Sequence, residues 1–287
     1  MKIGIIGTGR VGPALGKVFL EKGLNVSGIW GRNPEKAREA SGFIGCSFFY
    51  DLSDLLEKSD IVFIAISDDA IGYMANRIAD TPIDIAGKIF AHTSGSLPST
   101  ILDPLRKKGS FISSFHPLQS FGSRESGVEL VKKSYIAIEG DMDAVDVLRD
   151  IARKIGAYPF SINTESKVLY HASAVMACNL LYGLYFLATK LLSLCGVDEE
   201  VRDKVLIPLV EGTFENIKKV GPLKALTGPV SRGDIGTLKE HLEAMKREGL
   251  EEHMEVYKVL GSVLVEMARK RGLSADICER MKSILME

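Results

Sequence analysis

Residues 3–12 read IGIIGTGRVG, a short apolar run that leads directly into the glycine pattern G-x-G-x-x-G. Gly7, Gly9 and Gly12 occupy the glycine positions, and an amphipathic stretch, Val11–Lys22, follows them. In a strand–turn–helix unit these glycines allow a tight turn, close approach of the backbone to a pyrophosphate, and close packing of helix on strand. The segment therefore predicts a Rossmann unit that binds a dinucleotide at a helix N-terminus. The alternative is an ordinary turn with surplus glycines.

The first 160 residues alternate apolar, β-branched runs with helical segments. Several of the runs are hydrophobic throughout, as in strands that are buried on both faces of a parallel sheet. The seven predicted strands are Lys2–Ile6, Leu24–Trp30, Ile61–Ile66, Ile89–His92, Phe111–Phe115, Tyr135–Ile138 and Tyr158–Ile162. The alternation of strands and helices predicts an α/β fold with a doubly wound Rossmann sheet.

After Ile162 the strand pattern ends, and the later segments have helical periodicity. We therefore predict a Rossmann domain over residues 1–162 and an all-helical domain over residues 163–287 that serves the substrate and dimerisation. The segment Ala172–Thr189 has no charged residue and is just long enough to span a bilayer. Because a helix that is apolar on all sides is also typical of the buried axis of a domain or dimer, we favour burial.

Composition and charge argue against several classes of partner. The 36 basic and 37 acidic side chains give a net charge of -1, so neither nucleic-acid binding nor a polybasic membrane anchor is expected. The four cysteines form no C-x-x-C pair, which indicates reduced thiols in a cytoplasmic protein. The first strand begins at Lys2, so we expect no signal peptide. The five histidines lack ligand spacing, and no metal site is predicted.

The end of the second predicted strand selects the cofactor. NAD enzymes usually place a carboxylate there for the ribose 2′-hydroxyl, but this chain has Gly31, Arg32 and Asn33. A guanidinium attracts a 2′-phosphate that a carboxylate would repel, so Arg32 favours NADP. The alternative is a solvated arginine that caps the next helix.

The third predicted strand runs into Ser67, Asp68 and Asp69, at an edge where open α/β sheets bind ligands. Ser67 is predicted to contact the cofactor's ribose, whereas the two aspartates either share the site or only cap the next helix. The predicted cofactor-binding residues are Gly7, Thr8, Gly9, Arg10, Val11, Gly12, Gly31, Arg32, Asn33, Ile66, Ser67 and Thr93.

Three further segments are predicted to form the chemical site. The fourth strand ends in Thr93-Ser94-Gly95-Ser96, and the fifth ends in His116-Pro117. Lys167 opens the first long helix, and His171 follows one turn later. Side chains four residues apart on a helix share a face, so Lys167 and His171 are expected to point at the same place.

These motifs together resemble the 6-phosphogluconate dehydrogenase superfamily, which includes β-hydroxyacid dehydrogenases, ketopantoate reductases and pyrroline-carboxylate reductases. The resemblance rests on the glycine fingerprint, Ser94-Gly95 after a strand, and Lys167 at the start of the central helix. More narrowly, the chain resembles Rossmann-like reductases with a helical C-terminal domain of formerly unknown function, some taken to be an alternative type of ketopantoate reductase. The segments concerned are His92–Ser96, Ser114–Leu118, Lys167 with His171, Thr227–Pro229 and Arg232–Asp234.

The resemblance implies catalytic roles for four residues. The helix-borne lysine of hydroxyacid dehydrogenases acts as acid or base, which implies that Lys167 donates the proton. Partial desolvation would lower the pKa of such a lysine toward the useful range. Ser94 and His116 would position the substrate, and His171 would assist.

The resemblance also implies a substrate-binding set. Ser94 and the Gly95 backbone would hold a carboxylate or the cofactor's carboxamide. His171 stands where the hydroxyacid dehydrogenases usually have asparagine, and Asn179, two turns further on, is the alternative amide. Arg232 suits a carboxylate or phosphate.

The leading expectation is a homodimeric, NADPH-dependent reductase of a small 2-keto acid, with ketopantoate as the named substrate. The alternatives are an imine reductase of the pyrroline-carboxylate reductase type and a non-catalytic NADP-binding regulatory protein. Simpler roles stay open for single residues. Lys167 would then be a surface lysine, His171 a core histidine, His116 the end of a strand, and Thr227–Asp234 a turn.

Overall fold

The computed structural model describes residues 1–286 and divides into two compact units, Met1–Leu181 and the chain from Tyr182 onward. The first unit is built on a seven-stranded sheet. Its strands are β1 (Lys2–Ile6), β2 (Asn25–Trp30), β3 (Ile61–Ile64), β4 (Ile89–His92), β5 (Phe111–Pro117), β6 (Tyr135–Gly140) and β7 (Tyr158–Ser161). All seven predicted strands are confirmed, and their ends differ from the predicted ones by at most two residues.

The sheet has the strand order β2-β1-β3-β4-β5-β6-β7. Strands β1 to β5 run parallel, and Ile5 of β1 lies between Ile29 of β2 and Phe63 of β3. The chain winds in opposite directions from β1 toward β2 and toward β3, so a crevice opens at the carboxyl ends of these strands. Strand β6 runs antiparallel to β5, and β7 runs parallel to β6. That reversal was not predicted, because a hydrophobic run does not encode strand direction.

Helices cover both faces of the sheet. They are α1 (Val11–Glu21), α2 (Pro34–Ile44), α3 (Leu52–Glu57), α4 (Asp68–Ala79), α5 (Asp103–Arg106), α6 (Arg124–Val131), α7 (Met142–Lys154) and α8 (Lys167–Ala174). Ile5 and Phe63 belong to one apolar core, and Ile6 and Ile64 belong to a second. Neighbouring strand residues therefore pack on opposite faces, which confirms the doubly wound Rossmann-like sheet.

The rest of the chain is helical, as predicted. A π-helical turn, Val175–Asn179, continues α8 into α9 (Leu180–Leu194). The remaining helices are α10 (Glu199–Val205), α11 (Ile207–Ala225, interrupted at Gly221), α12 (Pro229–Arg232), α13 (Ile235–Arg247), α14 (Glu251–Lys270) and α15 (Ala275–Met286). Leu238, Val265 and Met281 join α13, α14 and α15 in one small core.

The long helix Thr164–Leu194 is largely exposed within the described chain, with 6% of its most apolar window buried. Leu169, Met176, Leu180 and Phe186 are all more than half exposed. The prediction of a buried axis is therefore wrong for the single chain, because an apolar helix does not reveal which chain covers it. By length and composition this helix could also cross a membrane, although core helices of soluble proteins pass the same test.

The boundary between the two compact units lies within this helix, after Leu181, and the division into domains at residue 162 stays a prediction. The boundary between the units falls there because α8 packs with the sheet. Lys167 contacts β5 and β6, and His171 approaches the loop that follows β4.

Candidate active site

The loop between β1 and α1 has the conformation that its glycines predict. Gly7 has a φ of +121°, and a Cβ there would overlap the carbonyl oxygen of Ala65. A Cβ on Gly12 would lie 2.6 Å from the carbonyl oxygen of Gly7, so this glycine permits close helix packing. A Cβ on Gly9 would meet no atom within 4 Å, because Gly9 faces open space. A ligand phosphate could thus approach the backbone at Gly9, as in dinucleotide-binding loops.

A cleft of about 500 Å³ opens beside this loop. Every predicted cofactor-binding residue except Gly12 lines the cleft, and Gly12 packs behind the loop. The lining brings together the carboxyl ends of β1, β2, β3 and β4. The cleft is therefore a single surface that starts at Arg32 and reaches Thr93.

The end of β2 presents Arg32 to the cleft, and Arg32 is exposed. Asn33 caps α2 by accepting a hydrogen bond from the Lys36 backbone N–H at 3.0 Å. The cap is thus supplied by Asn33, which leaves the Arg32 guanidinium available to a ligand. Lys36, in the first turn of α2, lines the same end of the cleft. Arg32 and Lys36 therefore place two positive charges at this end.

Five residues that line the cleft beyond the strand ends were not predicted: Lys36, Ala70, Tyr73, Met74 and Arg77. Tyr73 and Arg77 lie four residues apart on α4, and the Arg77 guanidinium stacks over the Trp30 ring at 5.0 Å. Their i,i+4 spacing on the helix after β3 was a usable signal. The predicted cofactor-binding residues all lie at or beside the ends of strands.

A cluster of histidines surrounds Gly95, in the loop that follows β4. A Cβ on Gly95 would lie 2.6 Å from Nδ1 of His171 and 2.9 Å from Nε2 of His116. Both ring nitrogens therefore point at the same small space beside the Gly95 backbone. Because Thr93 lines the cleft two residues earlier, this histidine cluster (Gly95, His116 and His171) adjoins the end of the cleft.

Tyr170 holds the ring of His116, since its hydroxyl lies 2.7 Å from Nδ1 of His116. Burial, reinforced by the charge of Lys167, lowers the pKa of His116 to about 4, so this ring is neutral near pH 7. Burial also raises the pKa of Tyr170 to about 12, so its phenol stays protonated. Nδ1 of His171 is buried and has no hydrogen-bond partner within residues 1–286. A polar ligand atom beside Gly95 would satisfy it.

Asp68 joins α4 to the loop after β4. One of its carboxylate oxygens accepts hydrogen bonds from the hydroxyls of Ser94 and Ser96, each at 2.8 Å. The Ser94 hydroxyl also accepts the backbone N–H of Leu97 at 3.1 Å. The Asp68 side chain therefore binds the loop and does not cap α4, and the predicted substrate residue Ser94 is already engaged in shaping that loop.

Lys167 forms a buried ion pair next to the histidine cluster. Its side chain is 1% exposed, and its ammonium group donates to the Ser114 hydroxyl and, at 3.2 Å, to Glu139. Glu139 also accepts hydrogen bonds from Ser99 and Thr164. Burial lowers the pKa of Lys167, although Glu139 opposes this. Burial alone would raise the pKa of Glu139, but Lys167 and the hydroxyl donors hold it below its ordinary value.

This ion pair rules out the simpler alternative in which Lys167 is a surface lysine. Lys167 contacts Ser114 and Glu139, whereas His171 lies beside Gly95, so the two side chains reach different groups. Nothing in the sequence marked Glu139, because a single acidic residue in an apolar strand has no motif of its own.

The two remaining predicted residues, Asn179 and Arg232, are both exposed. Asn179 ends the π-helical turn and is exposed, and that turn breaks the spacing that was to place it above His171. Arg232 is exposed at the end of α12 in the second unit. Asp234 caps α13 by accepting from the Thr237 backbone N–H at 3.1 Å, as predicted. The part of the chain that the structure describes has no group of three or more metal-ligating side chains.

Two family models match the chain. One, described as a Rossmann-like domain, matches residues 1–117. The other, described as a domain of unknown function (DUF2520), matches residues 134–263. None of the curated proteins matches the chain. The chain is therefore similar to a Rossmann-like domain over residues 1–117 and to the DUF2520 domain over residues 134–263.

Solved structures match almost the whole chain. Protein TM1727 from Thermotoga maritima is 29% identical, with a TM-score of 0.73, over 94% of this chain and 99% of its own. A reductive aminase from Aspergillus terreus in complex with NADPH and ethyl-5-oxohexanoate is 15% identical, with a TM-score of 0.63 and coverages of 99% and 92%. Pyrroline carboxylate reductase from Plasmodium falciparum with NADP bound is 16% identical, with a TM-score of 0.56 and coverages of 99% and 98%. The two reductases share the fold.

Proposed function

We propose that this protein is an NADPH-dependent reductase that acts on a C=O or C=N bond of a small molecule. The observation that carries the proposal is the histidine cluster of Gly95, His116 and His171, which adjoins the end of a cleft built for a dinucleotide. Two proteins of similar fold, the reductive aminase and the pyrroline carboxylate reductase, bind NADPH or NADP. The resemblance to the 6-phosphogluconate dehydrogenase superfamily supports the same class of reaction.

The residues that line the cleft fit NADP. The free N–H groups of the Thr8–Val11 loop suit the pyrophosphate, and open space at Gly9 admits it. Arg32 and Lys36 suit the 2′-phosphate, because no carboxylate stands at this strand end to repel it. Ser67 and Thr93 line the part of the cleft that leads to the histidine cluster. When bound there, NADPH would supply the hydride for the reduction.

His116 and His171 are the residues that we propose contact the substrate. Neutral His116 can carry a proton on Nε2, because the Tyr170 phenol can donate to Nδ1. Nε2 would then donate a hydrogen bond to the oxygen of a carbonyl substrate, and His171 would complete the contact. A protonated imine has no lone pair on its nitrogen, so its own N–H would instead donate to a ring nitrogen such as the unpartnered Nδ1 of His171. The Lys167 ammonium already donates to Ser114 and Glu139, so only its third N–H is free for the proton transfer that the resemblance implies. We therefore propose an electrostatic role for Lys167, whose charge adds to burial in lowering the pKa of His116.

Two classes of substrate follow from this site. The resemblance favours a 2-keto acid such as ketopantoate, whose carboxylate needs a cation, and the resemblance implies Arg232 for that role. Asp68 favours the second class, an imine in its protonated form, because its carboxylate lies beside Ser94 and attracts positive charge. Neutral histidines, unlike lysines, would not repel such a cation.

Oxidation of NADPH over a panel of ketopantoate, other 2-keto acids and cyclic imines tests the proposed function. We expect turnover with at least one of these classes. Preference for keto acids together with loss of activity in Arg232→Ala would support the first class, and preference for imines together with loss in Asp68→Asn would support the second. Tight NADPH binding without any turnover would overturn the proposal in favour of a regulatory protein.

We further propose that two copies of the chain cover each other's long helix Thr164–Leu194. Its exposed face includes Leu169, Met176, Leu180 and Phe186, which is more apolar surface than a solvated monomer usually presents. A twofold dimer is the default for soluble oligomers, and it fits a cytoplasmic enzyme. Sedimentation as a dimer without detergent is the expected result. A detergent-dependent monomer would contradict this and favour a membrane segment.

A further inference from the structure

Helix α6 is attached to α1, the helix that opens the dinucleotide site, and the attachment begins at Arg124. Gly127 allows close contact, since a Cβ there would lie 3.0 Å from the Ala14 side chain. Val128 and Val131 continue the contact in the same apolar core. At the far end Lys132 pairs with Glu21 of α1 at 3.0 Å. Helix α6 is therefore fixed along its whole length.

From this fixed position, Arg124 donates hydrogen bonds to the glycine loop between β1 and α1. Its Nη2 donates to the carbonyl oxygen of Thr8 at 2.9 Å, and its Nε donates to the carbonyl oxygen of Gly9 at 3.1 Å. Its Nη1 pairs with Glu39 of α2 at 2.7 Å, and its side chain is only 19% exposed. A planar guanidinium is well suited to span two neighbouring carbonyls, which a lysine cannot do.

The hydrogen bonds to these two carbonyls also set the direction of the backbone N–H groups that would bind a phosphate. In a planar trans peptide the C=O and N–H groups point in opposite directions. The Thr8 carbonyl shares its peptide with the Gly9 N–H, and the Gly9 carbonyl shares its peptide with the Arg10 N–H. With both carbonyls turned toward Arg124, the N–H groups of Gly9 and Arg10 are turned away from it. Within residues 1–286 neither group donates a hydrogen bond, so both are available to a ligand.

We propose that Arg124 is a positioning residue that presets the glycine loop for the pyrophosphate of NADPH. This inference rests on the proposed function, and it adds a residue that the glycine fingerprint does not contain. Arg10 supports the same arrangement, since its Nη1 donates to the carbonyl oxygen of Phe121, in the loop that leads into α6, at 3.1 Å. The loop is thus tied to α6 and to the segment before it.

Binding of NADPH and of 2′-AMP to the Arg124→Gln and Arg124→Lys variants tests the inference. 2′-AMP carries the 2′-phosphate but no pyrophosphate, so it reports on the Arg32 end of the cleft alone. Because hydrogen bonds from charged groups are the strong ones, Arg124→Gln is expected to raise the Kd for NADPH about 10- to 100-fold. The Kd for 2′-AMP and the kcat at saturating NADPH should not change. Arg124→Lys should lie between Arg124→Gln and wild type.

Glu39→Gln is the matched control, because it removes the ion pair and leaves both carbonyl contacts. It should bind NADPH like wild type. If Arg124→Gln binds NADPH as tightly as wild type, the inference about Arg124 is overturned and the proposed function is not. The same holds if the variant loses equal affinity for NADPH and 2′-AMP, because that result indicates a general disruption of the cleft. If the wild-type chain binds no NADPH, the proposed function fails and the inference with it.

Discussion

The cleft and the histidine cluster adjoin each other, but they are built in different ways. The cleft takes its decisive residues from a continuous segment, Gly7–Gly12, and from single strand ends. The histidine cluster assembles Gly95, His116 and His171 from a loop, a strand and a helix that are far apart in the chain. The first is local and was largely predictable, whereas the second depends on how the sheet and α8 pack. The two regions should therefore respond differently to substitution.

The largest expected effect concerns the ion pair beside the histidine cluster. Lys167→Met would leave the buried carboxylate of Glu139 without its partner. Loss of one member of a buried pair typically costs about 3–5 kcal/mol of the free energy of unfolding. Urea denaturation should show this loss, and the double variant Lys167→Met/Glu139→Gln should recover most of it. A single variant as stable as wild type would contradict the buried ion pair.

The same double variant separates two roles for Lys167. If Lys167 acts only through its charge, the double variant should keep turnover within about tenfold of wild type, below the usual effect of removing a catalytic acid. A loss of about 10²- to 10⁴-fold, with NADPH binding intact, would instead identify Lys167 as the proton donor that the resemblance implies. Steady-state kinetics measures the difference.

Gly95→Ala should damage the histidine cluster and spare the cleft. The new methyl group would displace the rings of His116 and His171, which approach that position within 3 Å. Displacement of a substrate-positioning group by about 1 Å can cost about 100-fold in rate, so kcat should fall by this order. The Kd for NADPH should not change. Gly42→Ala, where a Cβ meets no atom within 4 Å, is the matched control and should have normal activity.

These expectations also mark what the sequence could and could not predict. The strands, the glycine loop and the lining of the cleft follow local rules of periodicity and strand ends, so they were predictable. Tyr170 and Glu139 were missed as site residues, and the role of Asp68 stayed open, because these roles arise only when separate elements meet. The long helix Thr164–Leu194 is exposed in the single chain for a related reason, since an apolar sequence does not show whether the same chain or a second copy covers it.

Arg32→Asp should alter the cleft and leave the histidine cluster intact. A carboxylate in place of the guanidinium would repel the 2′-phosphate, and loss of one charged hydrogen-bonding group typically weakens binding about tenfold or more. Fluorescence titration should therefore show weaker NADPH binding and unchanged or stronger NADH binding. Arg153→Asp, at an exposed site on α7, controls for net charge. Unchanged NADPH affinity in Arg32→Asp would contradict the assignment of this residue.

The smallest expected effect is a pH dependence of stability. Burial lowers the pKa of His92 and of His116 from 6.5 to about 4. Below pH 6.5 the unfolded chain therefore binds protons that the folded chain does not, so the free energy of unfolding falls as pH is lowered from 6.5 toward 4. Between about pH 6.5 and 5 few carboxylates titrate, so the slope reports on histidines. His116→Gln should reduce this slope, and an unchanged slope would contradict the buried, neutral ring.

The central claim is that the cleft and the histidine cluster form one active site. Transfer of deuterium from NADPH labelled at the nicotinamide C4 tests this most directly, with the keto acids and cyclic imines as acceptors. Deuterium from one face of the nicotinamide is expected on the reduced carbon of the product. Gly95→Ala should bind NADPH normally but should not transfer this deuterium. Bound NADPH that transfers no label to any acceptor, or full transfer by Gly95→Ala, would contradict the central claim.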